Sequence, residues 1–138
     1  MSKYSLPVPK NKVDIRSAPF HKTHKSMRHC IDFALPPSTQ ILAVDNGKVL
    51  SRESRFSKAY SDTKYASKTN YIEIVHLDGK VSFYVHLLWR SIKVRVGQTV
   101  KKGQVIGLSG QTGYATYPHL HFGLYNKKGD GIPIKFAD

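Results

Sequence analysis

Short stretches in which every second residue is apolar recur along the chain, and turn-forming residues separate them. Such alternation is typical of half-buried β-strands, and we find no long segment with the period of a helix. Asp45-Asn46-Gly47 separates the apolar runs 41–44 and 48–50, and Asp78-Gly79 separates two longer runs, so we predict two β-hairpins. The pattern as a whole predicts an all-β fold, a single domain of short antiparallel strands.

The chain is predicted to consist of a lead-in and a folded domain. Residues 1–20 are polar and contain Pro7, Pro9 and Pro19, so we expect an extended segment that precedes a domain over residues 21–138. Within the domain, residues 51–70 are rich in Ser, Lys, Arg and Tyr, which predicts a long loop. Its basic and aromatic side chains suit single-stranded nucleic acid, a polar substrate groove or plain solvent exposure.

Two pairs of polar residues lie on strand-like segments where their side chains share a face. His119 and His121 are one residue apart in an apolar run, so both point to the same side, roughly 6–7 Å apart along the strand. In the same way, Tyr84 and His86 are predicted to project together from the polar face of residues 81–87. Each pair alone is also compatible with an exposed strand surface.

Asp32 is a carboxylate within an otherwise apolar, strand-like run. A charge in such a position is rarely left unpaired. Asp32 is therefore expected either to bind a cation or to form a salt bridge with one of the many Lys and Arg residues. Histidines on one strand face suit zinc hydrolysis, in which the protein supplies three ligands and leaves one position open.

Composition narrows the classes of function. The chain has 138 residues and 40% hydrophobic content, enough to bury one core, and no apolar stretch approaches the length of a membrane span. Cys30 is the only cysteine, which excludes an internal disulfide and leaves His and carboxylate as metal ligands. The net charge of +13 implies affinity for polyanions such as nucleic acid, anionic lipid or acidic cell-wall polymers.

The motifs, taken in order, resemble those of the lysostaphin-type zinc endopeptidases, the LytM-like peptidoglycan hydrolases. No single element is decisive, but the ordered set is highly specific. The matching elements are His24 with Ile31-Asp32-Phe33-Ala34, Ile41-Leu42-Ala43 with Asn46-Gly47-Lys48-Val49, Tyr71-Ile72-Glu73-Ile74 with His76-Leu77-Asp78-Gly79, Tyr84-Val85-His86-Leu87, the run from Val96 to Gly107, and Ser109-Gly110-Gln111-Thr112-Gly113 with Pro118-His119-Leu120-His121-Phe122.

This resemblance implies a barrel-sandwich hybrid fold and one Zn²⁺ per chain, bound by His24, Asp32 and His121 with water at the open position. It also implies that His86 and His119 are the catalytic histidines, which activate the water and stabilise the tetrahedral intermediate.

Tyr84 would help to hold the oxyanion. All of these assignments are carried over from the family, residue by residue.

One departure concerns the first zinc ligand. The commonest family spacing places a histidine four residues before the aspartate, where this chain has Arg28, which cannot bind zinc. Related sequences have a longer insertion, and His24, eight residues before Asp32, fits that pattern. His29 and His21 remain competitors for this position.

The resemblance implies hydrolysis of peptide bonds in peptidoglycan cross-links or stem peptides, with Gly-Gly bridges, alanyl stem bonds and ordinary proteins all open as substrates. It also implies a secreted or cell-envelope location, although no signal peptide follows Met1. Two alternatives belong to other classes. One is a non-catalytic carrier or binding module with the same barrel, in which Lys48 would be the carrier residue. The other is a basic nucleic-acid-binding protein, which the charge and residues 51–70 support.

Overall fold

The computed structural model describes residues 4–16, residue 27 and residues 29–137. Within these ranges the regular structure is almost entirely β, which confirms the predicted fold class. The strands are β1 (Ile15–Arg16), β2 (Ile31–Ala34), β3 (Gln40–Leu42), β4 (Gly47–Glu53), β5 (Ala59–Tyr60), β6 (Tyr71–His76), β7 (Val81–Val85), β8 (Thr99–Val100), β9 (Val105–Leu108), β10 (Gly113–Tyr114) and β11 (His119–Tyr125), with short 3₁₀ turns at Lys10–Lys12 and Thr63–Tyr65.

Seven of these strands form one antiparallel sheet in the order β1-β2-β11-β7-β6-β4-β8. β3 and β9 form a second, antiparallel pair, and β5 and β10 a short parallel pair. The hairpin predicted around Asp78-Gly79 is confirmed, because β6 and β7 are paired antiparallel across this turn. Gly79 has a positive φ of 86°, a conformation that glycine adopts without steric cost.

The hairpin predicted at Asp45-Asn46-Gly47 is wrong. β3 pairs with β9, whereas β4 pairs with β6 and β8, so the turn carries the chain from one sheet to another. The backbone amides on the two sides of the turn bond other segments of the chain instead of each other. The Ala43 amide donates a hydrogen bond to the carbonyl of Gln104 over 2.9 Å. The Val49 amide donates to the carbonyl of Gln98, also over 2.9 Å. A turn sequence specifies a reversal of the chain but not the strand to which each arm is hydrogen-bonded.

The large sheet has two faces of different character. Its core face is buried and mainly apolar, and it packs against side chains from the β3–β9 pair such as Ile41 and Ile106. Its other face, which we call the site face, carries polar and aromatic side chains. The core face comprises Phe33, Ile72, Ile74, Tyr84, Leu120 and Phe122, and the site face Asp32, Tyr71, Glu73, Phe83, Val85 and His121.

Two segments that the sequence predicts to be irregular are partly ordered into strands or buried in the core. Tyr4 and Val8, from the predicted lead-in, are buried in the core, and β1 extends the large sheet. The segment 51–70, which we call the basic arm, is not one long loop. It begins with the last residues of β4 and contains β5 and the 3₁₀ turn at Thr63–Tyr65.

Tyr84 occupies a position different from its prediction. Its side chain is fully buried on the core face, where its hydroxyl accepts a hydrogen bond from the Val44 amide at 3.0 Å and lies 2.9 Å from the Ser82 hydroxyl. Burial raises the pKa of the Tyr84 hydroxyl, so it stays neutral. Tyr84 and His86 therefore do not share a face, and the predicted oxyanion contact of Tyr84 does not fit this location.

Replacing Tyr84 with Phe tests this structural role. The substitution leaves the buried Val44 amide without its acceptor, so the free energy of unfolding should fall by about 1–3 kcal/mol, measured by denaturant titration. The hydrolytic activity that the sequence resemblance implies should be unchanged per folded molecule. Tyr60→Phe is the matched control: its ring stacks on Tyr65 outside the core, and stability should change by less than about 0.5 kcal/mol. A Tyr84→Phe variant of normal stability but without activity would restore the oxyanion role.

Candidate functional site

Asp32 and His121 face each other across neighbouring strands on the site face. They are directly paired in the antiparallel register of β2 and β11, so their side chains point the same way. Asp32 Oδ1 lies 3.1 Å from His121 Nδ1 and 3.8 Å from His119 Nε2. The predicted common face of His119 and His121 therefore agrees with the structure, since both imidazoles reach one buried carboxylate.

His86 reaches the same cluster because the backbone departs from the strand at this residue. β7 ends at Val85, and His86 has a φ of 70°. In a regular strand His86 would share the core face with Tyr84. The left-handed backbone instead places the His86 ring against the other two imidazoles, with its centroid 4.6 Å from that of His119 and 6.1 Å from that of His121.

Thr69 and Thr112 hold His86 in this conformation. The Thr69 hydroxyl accepts a hydrogen bond from the His86 amide at 3.2 Å and donates one to the Thr112 carbonyl at 3.0 Å. That carbonyl also lies 2.6 Å from His86 Nδ1. Asn70 completes this hydrogen-bond network. Its backbone amide donates to the Thr112 hydroxyl, and its side chain donates to the Leu87 carbonyl. We call Thr69, Asn70 and Thr112 the clamp.

The clamp determines which nitrogen of His86 carries the proton. A carbonyl oxygen only accepts, so Nδ1 is the N–H donor to Thr112 and Nε2 is the nitrogen with the free lone pair. Burial lowers the pKa of His86 to about 3, and the neighbouring His119 and His121 act in the same direction. His86 is therefore neutral at physiological pH and can accept a proton at Nε2.

His119 has the same arrangement. Its Nδ1 lies 2.8 Å from the Tyr117 carbonyl, which again leaves Nε2, the atom facing Asp32, with the lone pair. The Tyr117 ring stacks on the imidazole at a centroid distance of 4.4 Å. Burial lowers the pKa of His119, although the Asp32 carboxylate opposes this effect. Two neutral imidazoles with a defined tautomer thus lie side by side.

Asp32 and His121 have the chemistry of metal ligands. Both are buried, with 3% and 6% of their surface exposed, and a carboxylate oxygen and an imidazole nitrogen are donors that zinc accepts. Burial alone would lower the pKa of His121, but hydrogen bonds to Asp32 and Cys30 outweigh it and raise the pKa to about 9. The pair therefore stabilises positive charge at this position, as a cation site requires.

The remaining predicted ligand cannot be placed. His24 and its competitor His21 lie outside the described residues. His29 is described and is exposed. Within the described ranges, no three His, Cys, Asp or Glu side chains come together as a complete metal-binding group. The residues present fit zinc as two ligands of an incomplete set, and the set of three stays a prediction.

Sequence reasoning did not identify the clamp or Tyr117 as parts of the site. Thr112 lies within a motif used for the family resemblance, and Asn70 directly precedes β6, but neither position indicates burial. The clamp residues are 7% exposed or less. Polar residues buried to this degree are nearly always hydrogen-bonded, yet burial could not be read from the sequence.

Comparisons with known proteins agree with this geometry. The sequence model of Peptidase family M23 matches residues 26–133. Lysostaphin of Staphylococcus simulans is 38% identical over 97 residues, covering 70% of this chain and 17% of lysostaphin. Peptidoglycan DD-endopeptidase ShyA of Vibrio cholerae is 39% identical over 93 residues, covering 67% of this chain and 19% of ShyA.

A solved structure shows the same fold. The crystal structure of a zinc containing peptidase from Vibrio cholerae superposes with a TM-score of 0.72 at 28% identity, covering 99% of this chain and 40% of that one. The chain spans less than a fifth of the length of the two relatives named above, 17% and 19%. The lysostaphin-like resemblance of the sequence is confirmed, and the chain belongs to Peptidase family M23.

Proposed function

We propose that this chain is a zinc-dependent endopeptidase domain that hydrolyses peptide bonds in peptidoglycan cross-links or stem peptides. The observation that carries the proposal is the clustering of three buried imidazoles around one buried carboxylate on the site face. Each imidazole is oriented by a hydrogen-bond acceptor: Asp32 orients His121, and backbone carbonyls orient His86 and His119. The names of the M23 relatives support a peptidoglycan substrate.

Asp32 and His121 would hold the metal together with His24. When bound, Zn²⁺ supplies a Lewis acid that lowers the pKa of water toward neutrality and polarises the scissile carbonyl. The raised pKa of His121 and its contact with Asp32 mean that metal binding must displace a proton from this pair.

His86 and His119 would move the proton during hydrolysis. A neutral Nε2 accepts a proton from the attacking water, and the imidazolium formed then donates it to the leaving amine. While protonated, that imidazolium lies beside the developing oxyanion and stabilises its negative charge. The two rings are 4.6 Å apart between centroids, so both can contact the same peptide group.

The basic arm would attract anionic wall polymers rather than take part in the chemistry. Its cations are exposed, and several lie over aromatic rings of the arm itself: Arg55 and Lys68 over Phe56, and Lys64 over Tyr65. The arm is nevertheless joined to the site, because the Asn70 side chain bonds both backbone groups of Phe56. Such a role fits a location in the cell envelope or outside the cell. No helix in the described ranges is long and apolar enough to cross a membrane.

The two alternatives have less support. Lys48 is exposed, but it lies within β4, paired with Thr99 and Val75, and not at the tip of a turn. A nucleic-acid-binding protein would need no buried cluster of Asp32, His86, His119 and His121. Neither alternative accounts for these four residues.

The zinc ligands can be tested through metal content alone. We expect one Zn²⁺ per chain after extensive dialysis, measured by elemental mass spectrometry. His24→Ala and Asp32→Asn should lose the metal because each removes a donor, whereas His29→Ala and His21→Ala should retain it. If His29→Ala lost the metal and His24→Ala kept it, the assignment of the first ligand would be wrong.

The catalytic histidines can be tested without disturbing the metal. His86→Ala and His119→Ala should keep the fold and the zinc but reduce digestion of purified peptidoglycan by about 10²-fold or more, as expected for a positioned acid–base group. Identifying the products by mass spectrometry would also establish whether Gly-Gly bridges or stem bonds are cut. Hydrolysis at the wild-type rate by either variant would exclude its assigned role.

The contribution of the basic arm to wall binding can be distinguished from the effect of net charge. Replacing Arg52, Arg55, Lys58, Lys64 and Lys68 with Gln should weaken binding to whole cell walls and leave zinc content intact. Binding by the unaltered chain should also weaken steeply as salt rises past about 0.1–0.2 M, where the Debye length falls below roughly 10 Å.

The matched control replaces five exposed cations far along the chain with Gln, namely Lys93, Arg95, Lys101, Lys102 and Lys128. Both variants lose the same charge, but the arm variant should lose more wall binding in a sedimentation assay. An equal loss in the two variants would show that net charge alone drives binding. Loss of turnover of a small neutral peptide by the arm variant would instead place the arm in the active site.

A further inference from the structure

A groove lies on the site face of the sheet, on the side of Tyr71 and Val85 that leads toward the β6–β7 turn. It has a volume of about 510 Å³, and its floor is formed by Glu73 of β6, Phe83 of β7 and Tyr125 of β11. Lys127 lies at its outer end, beside the β6–β7 turn. None of these residues takes part in the hydrolysis described above.

The floor of the groove is aromatic. Phe83 contacts Tyr71 at a centroid distance of 5.5 Å and Tyr125 at 6.2 Å, both edge to face. Gly123, the β11 partner of Phe83, makes room for this row. A Cβ at Gly123 would lie 2.8 Å from the Cys30 sulfur and 3.0 Å from the Tyr125 ring, so a side chain there would push the ring away from the strand.

Glu73 places a carboxylate beside these rings. It is directly paired with Phe83 in the register of β6 and β7, and its side chain is half-buried and lines the groove. The Ser51 hydroxyl donates a hydrogen bond to one carboxylate oxygen. Among the described residues no Lys, Arg or His forms an ion pair with Glu73, although the net charge of the chain is +13.

Lys127 does not supply the missing partner. Its side-chain carbons lie against Gly79 in the β6–β7 turn, at the outer end of the groove. A carboxylate next to aromatic rings is the environment that a primary ammonium group prefers, since the carboxylate accepts its hydrogen bonds and the rings attract its charge.

The register gives the distance of this position from the site. Glu73 and Phe83 are two residues further along the sheet than Tyr71 and Val85, and Val85 is paired with His121. Two residues along a strand span roughly 6–7 Å, and Glu73 on β6 also lies two strands, or roughly 9–10 Å, across the sheet from His121 on β11. A bound peptide in extended conformation advances about 3.3–3.6 Å per residue, so a residue about two positions from the peptide bond at the histidines covers the distance along the sheet, and a long side chain directed toward β6 covers the distance across it.

We propose that Glu73, Phe83 and Tyr125 form a subsite for a primary ammonium group carried by the peptide substrate about two residues from the scissile bond. The proposal rests on the proposed function for the identity of the ligand as a peptide. It adds a preference for cationic peptides to a chain whose overall charge would repel them. A lysine-like side chain extended along the groove is the group that this position accommodates.

The test measures binding and cleavage separately. The probe is the capped pentapeptide acetyl-Gly-Gly-Lys-Gly-Gly-amide, compared with the same peptide containing norleucine, which keeps the aliphatic chain and lacks the ammonium. Binding is measured by calorimetry in the His86→Ala background, where turnover is suppressed. The lysine peptide should bind about fivefold more tightly, the size expected for a half-exposed ion pair reinforced by an aromatic contact.

Glu73→Gln should reduce this preference to below about twofold without weakening the norleucine peptide, because only the charged contact is removed. Asp130→Asn, in the exposed turn after β11, is the matched control with the same change of charge, and it should keep the preference. Equal binding of the two peptides by the chain with Glu73 intact, or a preference that persists in Glu73→Gln, would overturn the subsite.

Failure of the proposed function gives a different result. If the chain with His86 intact cleaves no peptide or peptidoglycan while the Glu73-dependent preference is present, the subsite stands and the hydrolase is rejected. If both peptides are cleaved with equal kcat/KM and bind equally in the His86→Ala background, the hydrolase stands and the subsite is rejected.

Discussion

The left-handed backbone at His86 is the constraint on which the site depends. A positive φ at a residue with a Cβ costs of order 1–2 kcal/mol, so the surrounding structure must stabilise it. Thr69 and the carbonyl of Thr112 do so through hydrogen bonds to the amide and ring of His86. This one departure moves His86 from the core face to the site face and leaves Tyr84 in the core, where its hydroxyl bonds the Val44 amide.

A single buried carboxylate organises the charges of the site. Asp32 stabilises positive charge on His121, while burial keeps His86 and His119 neutral. The pKa of His121 is thus raised and those of His86 and His119 are lowered, although the three rings lie close together. Chemically identical side chains therefore differ in their affinity for a proton, because the Asp32 carboxylate outweighs burial at His121, whereas burial prevails at His86 and His119, whose Nδ1 atoms meet backbone carbonyls.

The parts of this arrangement that the sequence predicts are those that follow from local rules. Alternation correctly places His119 and His121 on one face, and the Asp78-Gly79 signal correctly predicts the β6–β7 hairpin. The same alternation fails at His86, because the rule assumes extended backbone and the exception is imposed by hydrogen bonds from residues 17 and 26 positions away. The turn at Asp45-Asn46-Gly47 fails for a related reason, since the pairing of β3 and β4 is decided by distant strands.

Long-range contacts also join the basic arm to the residues that hold His86. The arm is joined to β10 by the parallel pairing of β5, and β10 begins at Gly113, directly after the clamp residue Thr112. Gly113 has a φ of 83°, and a Cβ there would lie 2.5 Å from the Cβ of Thr69. The close approach of these two segments is possible only because Gly113 has no side chain. The conformation of His86 therefore depends on Gly113 and on the packing of an arm whose sequence alone predicts only a long basic loop.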